Sequence, residues 1–285
     1  MSSMVKEEVD MSVPAKGRHP SLPEIAAPRR SVAEVLQRLE RLATGSPNLL
    51  IDHGCRFQSG DRTYELPRCL YIGPSGGGDP LRVGIFAGMH GDEPEGVYAS
   101  IRLLSLLEQR PDLATGYCLF IYPVCNPTGF EDRTRGSRGG KDLNREFWRG
   151  SKEPEVRLLE SELASHSLHG IISLHTDSAS HGFYGFAHGA TLTQHLIKPA
   201  LEAAEEFLPR NGDGKIDGFR ARNGIIRDGY QGILSAPPGV GPRPFEIILE
   251  TPQTPPTYLK EAAMVAALRA VLTSYREFIA YAPNL

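Results

Sequence analysis

Residues 88–96, with the sequence GMHGDEPEG, place one histidine and three carboxylates within nine positions. The side chains are those of His90, Asp92, Glu93 and Glu95, and they follow the apolar run LRVGIFAG directly. Negative charges this close repel one another unless a positive charge lies among them. The segment therefore predicts a bound metal ion.

A third metal ligand is available at the end of the apolar run HGIISLH, in His175. With His90 and Glu93, it completes the two-histidine, one-carboxylate set with which catalytic zinc sites leave a position for water. Each residue alone has an ordinary explanation, because a single histidine is often structural and Glu93 could stabilise a helix N-terminus. The combination favours zinc. Asp92 and Glu95 are expected to support the ligands or to be solvated.

A second group of polar residues lies in segment 126–148, NPTGFEDRTRGSRGGKDLNREFW, which contains four arginines. Such a glycine-rich stretch could be a solvated loop or a weak phosphate-binding loop. A guanidinium beside an amide, as in Asn144 and Arg145, can also hold a carboxylate at two points. A metal ion and a carboxylate clamp together indicate a hydrolase whose substrate has a free acid group near the scissile bond.

Helical and strand-like patterns alternate along the chain, and the helices and strands that they predict must position these residues. Helices are predicted at 31–43, 96–110, 153–165, 191–208 and 256–280, and Ser31 and Glu34 have the spacing of a capping box. Strands are predicted at 48–54, 64–75, 82–88, 116–124, 169–175, 181–189 and 244–250, with a turn at QSGD. This order predicts an α/β fold, a three-layer α/β/α sandwich with a mixed, mostly parallel central sheet.

Four of the predicted strands end at residues that could share one pocket. His90 and Asn126 follow two of them, and His175 and Glu250 end two others. Ligands of such sheets bind beyond the carboxyl ends of the strands. We therefore expect the candidate residues to meet at one edge of the sheet.

The composition excludes several classes of function. The chain has 285 residues, 40% of them hydrophobic, and a net charge of −3, which gives no electrostatic basis for binding nucleic acid. No run reaches the ~20 apolar residues needed to span a bilayer. Residues 1–30 are expected to form a polar, mobile arm, and 31–285 a single domain. The four cysteines show no CxxC spacing, so we expect a cytoplasmic protein; the oligomeric state stays open.

Five segments in this order resemble the zinc carboxypeptidase superfamily: HGDE at 90–93, NPTGFEDRTR at 126–135, DLNREF at 142–147, SLHT at 173–176 and LET at 249–251. The sequence is most similar to the compact murein-peptide amidases and the succinylglutamate desuccinylase/aspartoacylase group. The resemblance covers roughly 80–275.

The resemblance implies a role for each matching residue. His90, Glu93 and His175 would bind one zinc ion, and Glu250 would be the general base. Arg135 would stabilise the oxyanion, although Arg133 and Arg138 lie in the same loop. Asn144 and Arg145 would hold the substrate carboxylate, and Tyr230 is the candidate for the tyrosine that covers the substrate in many members.

These observations lead to one leading hypothesis and two alternatives. The leading hypothesis is a zinc metallohydrolase of the carboxypeptidase or murein-peptide amidase type, which cleaves an amide bond in a small peptide. The first alternative is a deacylase of N-acyl amino acids with the same fold. The second, from another class, is an inactive module that binds a ligand with a free carboxylate. The intact set of His90, Glu93, His175 and Glu250 argues against it.

Overall fold

The computed structural model describes residues 30–53 and 56–281, and within these ranges the chain forms twelve strands and six α-helices. The strands are β1 (Leu49–Asp52), β2 (Arg56–Ser59), β3 (Arg62–Glu65), β4 (Arg68–Ile72), β5 (Leu81–Ala87), β6 (Tyr117–Tyr122), β7 (Gly170–Asp177), β8 (Tyr184–Gly189), β9 (Lys215–Ile216), β10 (Phe219–Arg222), β11 (Ile225–Ile226) and β12 (Phe245–Pro252). The helices are α1 (Val32–Ala43), α2 (Glu95–Gln109), α3 (Pro127–Asp132), α4 (Pro154–Ser165), α5 (Thr193–Ala204) and α6 (Thr257–Tyr281).

Ten strands form one sheet in the order β1-β4-β6-β5-β7-β12-β8-β11-β10-β9. Its centre, β6-β5-β7-β12, is parallel, whereas β4 and β8 run antiparallel to this centre on either side. The central strands coincide with the continuous apolar runs of the sequence, as expected for strands that are covered on both faces. The predicted fold class is confirmed.

Side chains that alternate along the central strands define the two outer layers. On β5, Val83 and Ile85 face a core made with α1, α2, α5 and α6. Phe86 points to the opposite face, where it packs in a second core with Val156 and Leu159 of α4. This period of two lets one strand hold both layers together.

The prediction differed from the structure in three places. The predicted strand 64–75 is split at Pro67, which has no N–H to donate to a sheet, so its first part pairs with β2 in a separate hairpin. The segment after Asn126, predicted as irregular, begins with the short helix α3, because the Asn126 side chain accepts a hydrogen bond from the Gly129 amide and Pro127 follows the cap. The short strands β2 and β9–β11 were not predicted.

The predicted N-terminal arm lies outside the described residues except for Arg30, whose guanidinium donates a hydrogen bond of 2.7 Å to the Gly91 carbonyl. That residues 31–285 form one domain stays a prediction. None of the helices in the described ranges has the length and hydropathy to cross a bilayer.

Candidate metal centre

His90 and Glu93 lie in the turn that joins β5 to α2. The backbone turns at Gly88, whose φ is +62°, and the turn then packs tightly against α3. A Cβ added to Gly91 would lie 1.9 Å from the carbonyl carbon of Gly129, so only glycine fits at this contact. The NPTG segment thus supports the turn that carries the two candidate ligands.

The structure brings His90, Glu93 and His175 together. The Nδ1 atoms of the two histidines lie 3.2 Å apart. The Glu93 carboxylate spans both, with 2.7 Å to His90 and 3.0 Å to His175. Exposed fractions of 3%, 8% and 3% show that all three are buried. Two imidazole nitrogens and a carboxylate, converging on one point, are the donor set of a catalytic zinc site.

Asp142 fixes the orientation of His90. Its carboxylate lies 3.1 Å from His90 Nε2 and can only accept, so the proton belongs on Nε2 and Nδ1 is left as a lone-pair donor. Burial lowers the pKa of His90, but the nearby carboxylates of Asp142 and Glu93 stabilise the imidazolium, outweigh burial and raise the pKa overall. A metal ion bound at Nδ1 would replace the second proton of that imidazolium. The sequence grouped Asp142 with Asn144 and Arg145 but did not indicate this contact.

The pKa values of the other two candidates favour the forms that bind metal. Burial lowers the pKa of His175, which favours the neutral imidazole. Burial alone would raise the pKa of Glu93, but its close contacts with His175 and His90 lower the pKa to about 2. An ionised carboxylate beside a neutral imidazole matches what a zinc site requires.

Arg135 is the loop arginine that reaches the candidate ligands. Its Nη1 lies 3.4 Å from Glu93, and its Nε donates to Asp142 at 3.1 Å. The Arg138 guanidinium instead donates to Asp132 and to the Tyr64 hydroxyl. Arg135 also lines the cavity above the site, and its predicted role at the oxyanion stays a prediction.

Asn144 and Arg145 lie in a short 3₁₀ turn that Asp142 caps by accepting from the Asn144 amide. The Asn144 side-chain oxygen accepts from the Leu234 amide at 2.9 Å, so the NH₂ group is the end that this bond leaves for a ligand. The Arg145 guanidinium lies 4.1 Å from the ring centre of Tyr230, an arrangement typical of a cation–π contact. The structure therefore places the predicted clamp beside the predicted covering tyrosine.

Glu250 lies on β12, in register with His175 on β7 and Tyr184 on β8. Its carboxylate lines the cavity. Burial raises the pKa of Glu250 well above its usual range, and the negative charge of Glu93 raises it further. Glu250 therefore faces the candidate ligands without belonging to the His90–Glu93–His175 group.

All eight predicted site residues line one cavity of about 200 Å³. Three residues that the sequence analysis missed share it: Asp177, Tyr184 and Asp217. Asp177 accepts a hydrogen bond from the Tyr184 hydroxyl, and Asp217 accepts one from Tyr230. Asp177 was within reach of the sequence, because it comes two residues after His175. Asp217 was not, because it lies in the turn between the unpredicted strands β9 and β10.

Comparison with known proteins supports the relationship suggested by the five motifs. Residues 80–210 match the sequence model of the succinylglutamate desuccinylase/aspartoacylase catalytic domain. No curated protein sequence matches the chain. A solved structure named as a metallopeptidase of Shewanella amazonensis SB2B has a TM-score of 0.68 at 22% identity, over 85% of this chain and 91% of that one.

Two solved metallo-carboxypeptidases share the fold at lower identity. The enzyme of Burkholderia cenocepacia has a TM-score of 0.66 at 18% identity, over 88% of this chain and 70% of that one. The enzyme of Pseudomonas aeruginosa, in complex with (2-guanidinoethylmercapto)succinic acid, has a TM-score of 0.61 at 18% identity, over 87% of this chain and 70% of that one. At these identities the likeness shows a shared fold, which is the fold that the resemblance of the five motifs implied.

The segment that matches the family model ends before two of the predicted residues. Segment 80–210 contains the three candidate ligands, Arg135 and the Asn144–Arg145 clamp. Glu250 and Tyr230 lie beyond it, so their assignment depends on the register of β12 and on the cavity.

Proposed function

We propose that the protein is a zinc-dependent hydrolase that cleaves an amide bond near a free carboxylate in a small peptide, as carboxypeptidases and murein-peptide amidases do. The observation that carries the proposal is the convergence of His90 Nδ1, His175 Nδ1 and the Glu93 carboxylate in a cavity that Glu250 and Arg145 also line.

Zinc held by these three side chains would supply Lewis acidity and lower the pKa of a water molecule toward ~7. The Glu250 carboxylate would accept the proton of the attacking water and then donate it to the leaving amine. The raised pKa would let Glu250 hold the proton between the two steps, and the positive charge of a bound zinc ion would favour the ionised form that accepts it. Its place on a rigid central strand fixes its distance from the candidate ligands.

The two arginines of the cavity would have different roles in the reaction. Arg135, beside Glu93, would stabilise the negative charge that develops on the carbonyl oxygen, which is worth roughly 3 to 4 kcal/mol for such donors. Arg145 and the Asn144 NH₂ group would hold the carboxylate of the substrate. Tyr230, stacked on Arg145, would cover the bound substrate.

A second candidate, with the same residues, is a deacylase that removes an acyl group from an amino acid. The match of segment 80–210 to the desuccinylase/aspartoacylase catalytic domain favours it. The Pseudomonas aeruginosa neighbour binds a derivative of succinic acid, which supports a carboxylate-bearing ligand under either candidate. In both cases a free carboxylate lies on the amine side of the scissile bond, and the two candidates differ in the acyl side, which is a peptide for the first and a simple acyl group for the second.

The test is a mass-spectrometric screen of the zinc-loaded protein against short peptides, muropeptide fragments and N-acyl amino acids. We expect cleavage within one of these sets, with the Glu250→Gln variant as the inactive control. Cleavage of N-acyl amino acids alone would select the deacylase. Binding without cleavage on every acid-bearing amide would favour the inactive binding module.

A further inference from the structure

A buried ion pair that the proposed reaction does not use lies beside the candidate metal centre, and one of its members, Glu95, lines the same cavity. Lys260 of α6 and Glu95 of α2 are 3% and 6% exposed, and Lys260 Nζ donates to Glu95 Oε1 at 2.6 Å. Lys260 also donates to the Gln253 carbonyl, just after β12, at 2.9 Å. The ammonium thus ties the start of α2 to the end of the strand that carries Glu250.

Stability alone does not explain this pair. Removing a carboxylate and an ammonium from water costs about as much as their attraction returns, and packed apolar residues of similar volume often stabilise a fold equally well. We therefore look for a role of the Lys260–Glu95 pair, beside the candidate metal centre, that apolar residues could not perform. The hydrogen bonds of the pair connect it to the candidate metal ligands.

The second oxygen of Glu95 continues the network toward the site. It accepts from the Thr176 hydroxyl at 3.0 Å, and the Thr176 backbone amide donates to Glu93 Oε2 at 3.0 Å. Thr176 is the residue after His175. One threonine therefore binds the carboxylate of the ion pair through its side chain and a candidate metal ligand through its backbone.

The network also reaches the strand of the proposed base. The Thr176 hydroxyl lies 3.2 Å from that of Thr251, the residue after Glu250. A carboxylate only accepts, so Thr176 gives its single proton to Glu95, and the Thr251 hydroxyl is left as the donor toward Thr176 and, at 3.5 Å, toward the His175 carbonyl. The Lys260–Glu95 pair thereby ends a chain of hydrogen bonds that joins α2, β7 and β12 immediately beside Glu93, His175 and Glu250.

We propose that Lys260 is a positioning residue that acts through Glu95 and Thr176 to hold Glu93 and Glu250 in their working positions. It contacts neither the substrate nor the metal. The inference rests on the proposed function, because the positions it fixes are those of a zinc ligand and a base.

The first test measures zinc binding by metal-free protein, by competition with a chromogenic chelator. The double variant Lys260→Met with Glu95→Leu replaces the ion pair by apolar side chains, so its melting temperature should stay close to that of the parent. Its zinc dissociation constant should rise about tenfold or more, the range seen when groups behind a metal ligand are removed. The absorption spectrum of the cobalt(II) form should change as well.

Two further variants separate positioning from folding. Thr176→Val removes the hydroxyl while keeping the shape and should weaken zinc binding to a similar extent, whereas Thr176→Ser should restore it. Arg68→Met is the matched control, because it removes a partly buried ion pair with Glu162 on α4. It should lower the melting temperature without changing the zinc dissociation constant or the cobalt spectrum.

The possible failures are distinguishable. If the parent binds zinc and the apolar double variant binds it equally well with an unchanged cobalt spectrum, the positioning role is overturned and the proposed function stands. If Thr176→Val binds zinc as tightly as the parent does, the positioning role is likewise overturned and the proposed function stands. If the parent binds no zinc, the proposed function fails and the positioning role fails with it.

Discussion

Glu250 is the residue whose replacement best distinguishes a hydrolase from a binding module. Glu250→Gln keeps the shape of the side chain but removes its basicity. We expect the variant to retain zinc and to bind substrate, yet to turn over ~10²-fold more slowly or worse, since proton transfer contributes at least that much. Metal analysis and kcat on the substrate found by the screen would measure both. Loss of zinc would instead make Glu250 a metal ligand, and undiminished turnover would place the base elsewhere.

Arg145 tests the carboxylate clamp. Arg145→Ala should raise KM and lower kcat/KM for free-acid substrates, because it removes a charged contact made in the ground state and the transition state alike. Arg149→Ala is the control, since Arg149 is exposed, bonds Gln231 and does not line the cavity. The parent should also prefer a free acid over its amidated analogue; equal turnover of the two would contradict the clamp.

The sequence allowed part of the site to be predicted at the level of single residues. His90, Glu93 and His175 could be predicted because zinc accepts few ligand types and the carboxyl ends of parallel strands meet at one edge of the sheet. The contact between Asp142 and His90 could not, because it depends on the path of the loop between α3 and α4. Loop paths follow from particular turns and close contacts, which leave no periodic pattern in a sequence.

Among the elements, the contact between the metal-binding turn and α3 makes a sharp prediction. Gly91→Ala would place a Cβ 1.9 Å from the Gly129 carbonyl carbon, and backbone atoms on both sides cannot yield as a flexible side chain could. We expect a lower melting temperature together with weaker zinc binding, because the turn that carries His90 and Glu93 must move. Gly78→Ala, at a position with open space around it, should change neither property.

Helix α4 has a buried carboxylate in its first turn that makes stability depend on pH. Burial raises the pKa of Glu155 to about 7, and its Oε2 atom has no hydrogen-bond partner. The folded state therefore holds this proton more tightly than the unfolded state, whose pKa is near 4.5. Stability should fall as the pH rises from about 4.5 to about 7, by on the order of 2 to 3 kcal/mol.

The Glu155→Gln variant measures this contribution. It should melt at a higher temperature than the parent at pH 8, where the folded parent carries a buried charge, and the difference should shrink as the pH falls to about 4.5 and below, where Glu155 of the folded parent is protonated. Glu206→Gln, which changes an exposed carboxylate, is the control. A difference that does not vary with pH would show that Glu155 is not the titrating group.

How far the elements could be predicted depended on their length. The long helices were predicted because their apolar residues recur with a helical period, and the central strands because their apolar residues form continuous runs. Ser31 confirmed the predicted start of α1, since its side chain accepts from the Glu34 amide. The two-residue strands β9 and β11 are shorter than either period, so the edge of the sheet that carries Asp217 could not be predicted.

For the molecule as a whole, we expect zinc to stabilise the fold. His90 and Glu93 lie 85 and 82 residues from His175 along the chain, so their donor atoms converge only in the folded state. A ligand that binds only the folded state adds about 2.7 kcal/mol at a hundredfold excess over its Kd. Zinc should therefore raise the melting temperature of the metal-free parent but not of His175→Ala. A response to zinc in that variant would remove His175 from the site, and magnesium serves as the control ion.

Asp142 constrains how a protein of this design could change its substrate over evolutionary time. One of its oxygens contacts His90 and the Asn144 amide, and the other accepts from Arg135. Exchanges at positions 144 and 145 can alter which acid is recognised while the metal ligands keep their support. A substitution of Asp142 would impair both substrate recognition and catalysis. New substrate specificities can therefore evolve only through substitutions that leave this aspartate unchanged.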